Sequence, residues 1–549
     1  MALSGLFEIG KSALIASQTA LAVTSNNIAN VNTPGYSKES VTLAIASPFS
    51  TSAGPVGSGV SASNITRSYD SFTEVQLLNE QQNQSKSASL DQTWGQVEQV
   101  LNESQGIGLS SPLSDFFNAW NDVATSPDSP AARTTLLQKA NTLVQTASTI
   151  QSSIVDTVNN ANTTIRSDVS QINSLATDIA SLNQQIVKEE AGSSGTQAND
   201  LLDQRDAKLT ALAKLVDFTS YQDQNGSLTV VVGERNLVSG VQTNPMSTGS
   251  DTNGNTTVIL DNTDITSKIQ GGDIGGLIQS GNDIQTKTLA GLNLLLATVV
   301  QEVNSLHTQG YGLDGSTGNN FFTPLTVPTV NNSATATITQ PQVTGLAALT
   351  SNEYTINFNA AGTTYSVSDQ TGALVVPPTA YTSGNPITFN GLSFTITGAV
   401  TNTDSFTIGS PLPTAISSFG VAITDPNKVA AASTAAGVPG DNGTASQIAQ
   451  LTNATISTLG NDTFSGYYSG VVSTVGSIKQ STADGLTFDN NLLSQIQARR
   501  DSASGVSLDE EATNLINFQR SYEAGAKVIT VADELVQTVI SLIGGSVTG

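Results

Sequence analysis

At 549 residues the chain is long enough for several domains, and 38% of its residues are hydrophobic while only 12% are charged. Its 20 basic and 44 acidic residues give a formal net charge of −24, which argues against nucleic acid and anionic membranes as partners, because both attract basic surfaces. The chain contains no cysteine, and this excludes disulfides, thiolate metal sites and cysteine nucleophiles.

The first segment predicts an amphipathic helix with one apolar face. The residues of that face are spaced three, four or seven apart: Leu3, Leu6, Phe7, Leu14, Leu21 and Ile28. Small residues lie between them at Gly10, Ser17 and Thr24, where they would let another helix approach closely. The run Asn32-Thr33-Pro34-Gly35 ends the helix, because the residue before a proline disfavours the α conformation.

The same segment does not resemble a cleaved signal peptide. It lacks a basic region at its start, and Glu8 and Lys11 interrupt its apolar run. The most apolar stretch of the chain, Leu292–Val300, is too short to cross a bilayer. We therefore expect a secreted protein of this sequence to leave the cell without a cleaved signal.

Helical patterns dominate the next two hundred residues. Residues 37–68 are strand-like, with Val41, Leu43 and Ile45 alternating. No Pro or Gly interrupts the apolar period of three and four from Ala131 to Ala191, which predicts a rod-like bundle or coiled coil. Further helices are predicted over 69–103, around Phe116, Phe117 and Trp120, and over 199–216.

Strand patterns then alternate with helices as far as the C-terminus. Phe218–Val238, with Asn225-Gly226 between apolar runs, predicts a β-hairpin, and 283–307 predicts a helix. Residues 324–413 are rich in Thr, Val, Gly and Pro and predict an inserted all-β domain. Helices resume over 444–500 and 508–543. The last one has an apolar seam: Leu515, Phe518, Tyr522, Ile529, Ala532, Val536, Val539 and Ile543.

This plan predicts an α+β multidomain protein with long helical-bundle or coiled-coil domains built from both termini and inserted all-β structure. We expect a terminal coiled-coil assembly domain from 1–45 and 506–549, a helical rod-like domain from 46–216, 283–323 and 414–505, a β-hairpin region over 217–282, and an all-β outer domain over 324–413. An isolated helix is marginal in water. We therefore expect both termini to be disordered in the free monomer and to fold on assembly.

No constellation of residues supports catalysis or a cofactor. The sole histidine, His307, lies near a helix end, where a capping or surface role is the common case. Asp251, Asn253 and Asn255 begin like a calcium loop, but Thr256 replaces the glycine at its turn. The glycines of 271–276 lack the spacing of a dinucleotide fingerprint. We expect no enzyme activity, no cofactor and no metal.

Two short segments, one near each end, carry the most specific pattern. The first runs from Ser25 to Lys38 and includes Asn26, Asn27, Asn30, Asn32, Thr33, Pro34, Gly35 and Tyr36; the second is Asn514–Ala524. Together they resemble the terminal signatures of the flagellar rod, hook and hook-associated family. Residues 200–206 and 302–322 are similar to the members that join the hook to the filament, and the resemblance hardly covers 324–413.

The resemblance implies a structural subunit of the extracellular bacterial flagellum that joins hook to filament by helical, head-to-tail assembly. Its implied partners are the hook protein, the second junction protein, copies of itself in a ring or helical layer, and a cytosolic chaperone for type III export that covers the C-terminal helix. A flagellin, the second junction protein itself, a secreted β-rich adhesin and a secreted hydrolase remain the alternatives.

Overall fold

The computed structural model describes residues 2–51, 54–103, 108–192, 197–223, 226–251, 254–350 and 352–544. The side chains of Leu3 and Ile543, and the whole of Asn225 and Asn253, lie outside the described residues. The α-helices in chain order are α1 Ala2–Ala29, α2 Ser71–Val100, α3 Ser110–Thr125, α4 Pro130–Gly192, α5 Asn199–Leu215, α6 Gly272–Asp283, α7 Ala290–His307, α8 Gly443–Gln450, α9 Phe464–Ser504 and α10 Leu508–Gly544.

The strands of the described residues form six antiparallel sheets, of which the first is a two-stranded arm. Its strands are β1 Glu39–Ile45 and β4 Val60–Arg67, and the short pair β2 Phe49–Thr51 and β3 Gly54–Val56 lies between them in sequence. Two further sheets have the orders β5-β6-β7-β8 and β11-β10-β9. Their strands are β5 Thr219–Gln222, β6 Leu228–Val232, β7 Arg235–Ser239, β8 Gln242–Thr243, β9 Met246–Ser250, β10 Thr256–Leu260 and β11 Thr263–Asp264.

The remaining two sheets build the predicted all-β segment. The five-stranded sheet has the order β12-β20-β15-β16-β17, and the four-stranded sheet joins β13, β14 and β18 to β19. Their strands are β12 Thr329–Asn331, β13 Ala336–Ile338, β14 Gln342–Val343, β15 Tyr354–Phe358, β16 Thr364–Asp369, β17 Leu374–Ala380, β18 Pro386–Phe389, β19 Leu392–Gly398 and β20 Ser405–Ile408. Alternate residues of these strands bury a core around Ile356, Phe394 and Phe406.

Close contacts divide the chain into two units. Unit 1 comprises Met1–Leu90, Asn162–Ile278 and Ala483–Gly549; unit 2 comprises Asp91–Ala161 and Gln279–Thr482. Unit 1 contains both terminal helices and the arm. Unit 2 contains the all-β segment and the large helical core, in which α3 packs against α8.

The core of unit 2 is built around aromatic rings. Trp120 on α3 lies 5.2 Å from Phe321 between ring centroids, and Phe117 stacks on Phe464 of α9 at 5.5 Å. His307 at the end of α7 is 1% exposed, so the expectation of a capping or surface histidine is wrong. Its Nδ1 lies 2.7 Å from the carbonyl oxygen of Asn319, and its Nε2 lies 2.9 Å from the Ala430 N–H. The imidazole therefore joins three chain segments.

The long helical period is confirmed by α4, which runs without interruption from Pro130 to Gly192. The helix predicted from 283 begins earlier, at Gly272, and passes through a π-helical segment, Ile284–Leu289, before α7. The helices predicted over 444–500 are α8 and α9, which are separated by a stretch containing the 3-10 turn Ser457–Leu459. In α6, close packing requires glycine at one position, because a Cβ added at Gly276 would lie 2.6 Å from the carbonyl oxygen of Lys86.

One helical stretch among the described residues, Gly272–His307, is long and apolar enough to cross a membrane, and 56% of its most apolar part is buried within the protein. Leu292, Leu295 and Val299 in this stretch belong to the core of unit 2. Its apolarity therefore has a sufficient explanation in core packing.

Candidate assembly interface

The two terminal helices pack against each other in opposite directions. A Cβ added at Gly10 in α1 would lie 2.7 Å from Cγ1 of Ile529 in α10. Near the other end of the pair, Asn27 Nδ2 donates a hydrogen bond of 3.1 Å to Glu511 Oε2. Residue numbers rise along α1 while their partners fall along α10, so the pair is antiparallel.

Small residues form the most deeply buried face of α1. Ala16, Ser17, Ala20 and Thr24 are buried, and Gly10 is in close contact with α10. α1 also packs against β1 and β4 on the arm. A helix held between two neighbours needs short side chains where the backbones approach, which explains why the small residues rather than the leucines are most completely covered.

Gly10→Leu should separate the terminal helices, whereas Gly525→Ala should be tolerated. A Cβ at Gly525 would lie 3.4 Å from Ala13 Cβ and Leu14 Cγ, an ordinary contact, and alanine favours a helix over glycine by about 1 kcal/mol. Leucine at residue 10 would overlap Ile529, and such overpacking costs about 1–3 kcal/mol. In a strain that depends on this chain for flagella, immunoblots should show filament protein in the medium for Gly10→Leu only. Equal retention of filaments by both variants would contradict this packing.

Asn27 is the centre of a hydrogen-bond network that fixes the end of α1. Its Oδ1 accepts the Glu39 N–H at 2.9 Å and the Tyr36 hydroxyl at 2.9 Å. Its Nδ2 donates to the Glu39 carbonyl at 2.9 Å as well as to Glu511. One buried amide thus joins α1, β1 and α10, and all its hydrogen-bonding capacity is used.

Tyr36 must remain a phenol to act as this donor. Burial raises its pKa far above the usual value, and the carboxylates of Glu39 and Asp200 raise it further. The hydroxyl also accepts a 3.3 Å hydrogen bond from Asn26 Nδ2. The tyrosine is therefore held in one position at every physiological pH.

The rest of the motif forms the turn that follows α1. Asn30 Nδ2 donates to the Asn26 carbonyl at 3.1 Å, and its Oδ1 accepts from the Thr33 hydroxyl at 3.1 Å. Gly35 has φ +84°, a conformation that glycine adopts without strain. Asn32, Thr33 and Pro34 are exposed, so this part of the motif shapes a surface turn.

Charged side chains tie the turn to the rest of unit 1. Lys38 Nζ lies 2.6 Å from Glu510 Oε1 and 3.8 Å from Glu511 Oε1 on α10. The N–H of Ser37 donates to Asp203 Oδ2 at 2.8 Å, and Arg67 Nη1 binds Asp203 at 2.7 Å and Asp206 at 2.6 Å. Burial raises the pKa of Asp206, and Arg67 opposes that shift.

A second arginine closes the turn from the other side. Arg500 near the end of α9 pairs with Glu74 at 3.1 Å and donates to the Gly35 carbonyl at 3.3 Å. The Lys38 N–H donates to the Ser504 carbonyl at 2.8 Å. The turn after α1 is thus bound by α5, α9 and α10 together.

Asn27→Asp is expected to weaken the attachment of α10 far more than Asn32→Asp, the same change at an exposed position of the motif. The new carboxylate would be buried 3.1 Å from Glu511 Oε2 and could no longer donate, which costs about 3–5 kcal/mol for an unpaired buried charge. Filament retention and swimming should be lost for Asn27→Asp and kept for Asn32→Asp. Normal swimming of the Asn27→Asp strain would show that the network is dispensable.

The predicted apolar faces are only half covered in the single chain. Phe7, Leu14, Leu21, Ile28, Leu515, Phe518, Ile529 and Val536 are partly buried, while Leu6, Tyr522 and Val539 are exposed. Leu14 lies beside Gly525. The structure therefore brings members of both predicted faces together between α1 and α10, and leaves others facing solvent.

Further apolar side chains of α10 are exposed to solvent. Ile516, Val531, Leu535, Ile540 and Leu542 are all exposed, the last of them by 71%. The sequence seam did not include these residues. Val531, Leu535 and Leu542, spaced by four and seven, lie on one face of the helix, and we call them the α10 row. Exposed apolar residues that share a helical face are typical of a protein interface.

Sequence reasoning also missed Glu39, Arg67, Asp203, Arg500 and Glu511, which hold the motif in place. For the acidic residues of 200–206 the only indication in the sequence was the family resemblance. For Arg67 and Arg500 there was no such indication. Among the described residues no group of three or more His, Asp or Glu side chains is placed to bind a metal ion.

Comparisons with known proteins agree with this geometry at both ends. The sequence model described as flagella basal body rod protein matches residues 7–36, and that described as flagellar basal body rod FlgEFG protein C-terminal matches 498–542. The model of the flagellar hook-associated protein FlgK helical domain matches 94–322, and a hook-associated protein 1, D2-like domain matches 327–410.

The family of this chain is established by relatives that match it over nearly their whole length. Flagellar hook-associated protein 1 of Salmonella typhimurium is 30% identical over 98% of this chain and 100% of its own length. The chain belongs to the flagellar hook-associated protein 1 family. The family member of Escherichia coli is 29% identical over 98% of this chain and 100% of its length, and that of Bacillus subtilis is 26% identical over 98% of each.

A solved structure supports the fold of the hook-associated protein 1 family. The flagellar hook junction protein FlgK from Burkholderia pseudomallei superposes with a TM-score of 0.62 at 19% identity, covering 78% of this chain and all of the other. The predicted α+β class with helical ends and inserted β domains is confirmed. The matches favour this family over the flagellin, second-junction and adhesin alternatives.

Proposed function

We propose that this chain is a structural, non-catalytic subunit that joins the flagellar hook to the filament. The observation that carries the proposal is the antiparallel pair of terminal helices, locked at the Asn27 network and still exposing an apolar row on α10. The single chain leaves an apolar surface of α10 exposed, and neighbouring subunits of a tubular assembly would bury it. No step in this role needs a catalytic group.

Head-to-tail assembly follows from the nature of the surfaces. The exposed row on α10 carries Val531, Leu535 and Leu542, whereas the opposite side of the terminal pair presents α1 and the arm. Unlike surfaces that meet between copies give rings or open helical layers rather than closed dimers. We therefore assign the hook protein to one side of such a layer and the second junction protein to the other.

The terminal helices should acquire their full order only on assembly. A large part of the apolar surface of α10 is exposed in the single chain, so docking on α1 supplies only part of the burial that could offset the cost of ordering. Before export, a cytosolic chaperone that covers the α10 row would prevent aggregation. Hydrogen exchange of the monomer should show rapid exchange in 2–29 and 508–544, and strong protection there would contradict this part of the proposal.

Deletion of the gene tests the function directly. The deletion strain should build hooks, lack filaments and release filament protein into the medium, and the wild-type gene in trans should restore filaments. A strain complemented with a copy truncated before α10 provides a matched control, since it should leak like the deletion. Normal filaments in the deletion strain would overturn the junction function.

A further inference from the structure

The arm, residues 39–67, exposes apolar side chains and has no charged residue between its two ends. From Ser40 to Thr66 the sequence has no charged residue, in a chain whose net charge is −24. Ile45 on β1 is 87% exposed, and Leu43 and Val56 are also exposed. A β-bulge between Thr42 and Leu43 shifts the register, so the predicted alternation of Val41, Leu43 and Ile45 does not bury the last two.

An open groove of about 420 Å³ runs between α1 and the outer edge of β4. Ile15, half exposed, lies in its wall on the α1 side, and consecutive residues of β4 from Val60 to Ile65 form the other wall. Glu8 and Lys11 at its rim form an ion pair of 3.8 Å, so the groove has no net charge.

Among the described residues, hydrogen bonds reach the outer edge of β4 at its two ends. At one end the Val60 N–H donates to Ser12 Oγ at 3.3 Å, and at the other the Ile65 carbonyl accepts from Asn199 Nδ2 at 3.2 Å. Between them, β4 pairs with no described strand except β1. The Asn64 side-chain carbonyl in the same wall has no hydrogen-bond partner among the described residues. An uncovered strand edge of this kind pairs readily with another extended segment.

We propose that β1 of a second copy of this chain occupies the groove, with Thr42–Ile45 lying along the outer edge of β4. This rests on the proposed function and names the contact between copies within it. Beyond Glu39, which Asn27 binds, β1 pairs with no described strand except β4. The two-stranded sheet thus has two unlike free edges, and joining unlike edges extends the sheet from copy to copy without closing it.

The distribution of charge favours the uncharged arm of a second copy as the segment that occupies the groove. Copies that each carry −24 repel one another, so a contact between copies is favoured where both surfaces are uncharged. The arm has no charged residue over Ser40–Thr66, and the ion pair leaves the groove neutral. The exposed side chains of Leu43 and Ile45 supply the apolar surface that the groove would cover.

Cysteine cross-linking tests the contact without background, because the chain has no cysteine of its own. Leu43→Cys and Ile15→Cys would be made on separate, differently tagged copies and expressed together in the deletion strain. Both positions are exposed and central, so the test holds for either strand direction. On oxidation of isolated flagella, a disulfide-linked dimer carrying both tags is expected. Each variant expressed alone, and Leu43→Cys together with Thr142→Cys on α4, should give at most a trace of it.

The outcomes separate the contact from the function. Absence of the mixed dimer while both copies assemble and retain filaments would overturn the arm contact and leave the junction function standing. A Leu43→Cys adduct with the hook protein in place of a second copy would also overturn it. As an independent measurement, Leu43→Asp should reduce filament retention at least tenfold relative to Leu43→Thr, with the same melting temperature for both monomers because the side chain is exposed. Equal retention by these two variants would refute the contact.

Discussion

At pH 4.5 the free energy of unfolding of unit 2 should be lower than at pH 7.5 by about 2–3 kcal/mol on account of His307. Burial lowers the pKa of this imidazole from 6.5 to about 4; the Asn319 carbonyl opposes the shift and the Arg133 guanidinium adds to it. Nε2 accepts the Ala430 N–H, so a proton there would face another donor. The unfolded chain takes up the proton first. The stabilisation is therefore complete above pH 6.5 and is lost as the pH falls through 4.

The chain carries its own probe for this measurement. Its only two tryptophans, Trp94 and Trp120, are both fully buried in unit 2, so tryptophan fluorescence in urea reports the unfolding of this unit. His307→Gln removes the titration, keeps an acceptor for the Ala430 N–H and leaves every carboxylate in place. The loss between pH 7.5 and 4.5 should be smaller in this variant by about 2–3 kcal/mol. Equal losses in the two proteins would show that the imidazole does not titrate as its burial requires.

Local sequence patterns were sufficient where a helix depends mainly on its own period. α4 was predictable because no Pro or Gly interrupts 131–191, and α10 because its apolar steps of three and four persist to the end of the chain. The end of α1 was predictable from Pro34 and Gly35. In each case the information lies within a few residues of the feature that it determines.

Contacts between distant residues account for what the sequence did not reveal. Arg67 pairs with Asp203 across 136 positions of sequence, and no local signal connects them. The bulge at Thr42/Leu43 exposes Leu43 and Ile45 although their alternation is typical of a half-buried strand. The apolar period of α10 could not show which residues meet α1 and which remain exposed, because both sets have helical spacing.

A buried pair of acids makes unit 1 respond to pH in the opposite direction from unit 2. Asp168 on α4 is nearly inaccessible, and it hydrogen-bonds to Asp273 in the first turn of α6. The hydroxyl of Ser89 on α2 donates a hydrogen bond to Asp273 Oδ1. The N-terminus of α6 favours a negative charge on Asp273. Burial raises the pKa of Asp168 to about 7, and the charge of Asp273 and their hydrogen bond raise it in the same direction. Below about pH 7 Asp168 therefore keeps its proton and donates a hydrogen bond to Asp273.

The raised pKa of Asp168 determines whether unit 1 gains or loses stability as the pH rises. Its pKa in the folded protein lies above the usual value of 3.8, so the folded state binds the proton more tightly than the unfolded state. The stabilisation is complete below about pH 4 and is lost as the pH rises through 7. Unit 1 is thus expected to be less stable at pH 8 than at pH 5, while unit 2 gains stability over the same range.

Asp168→Asn should stabilise unit 1 more at pH 8 than at pH 5, by a difference of about 2–3 kcal/mol, because the amide remains a neutral donor to Asp273 at every pH while Asp168 loses its proton over this range. The urea transition seen by far-ultraviolet circular dichroism but not by tryptophan fluorescence reports unit 1, which contains neither tryptophan. Asp178→Asn is the matched control on the same helix, since Asp178 forms an accessible ion pair with Lys208 at 2.8 Å and such pairs contribute less than about 1 kcal/mol. If Asp168→Asn destabilises unit 1 equally at both pH values, the two carboxyl groups do not share a proton. If it stabilises unit 1 more at pH 8 than at pH 5, unit 1 unfolds more easily in mildly alkaline solution because Asp168 loses its proton there.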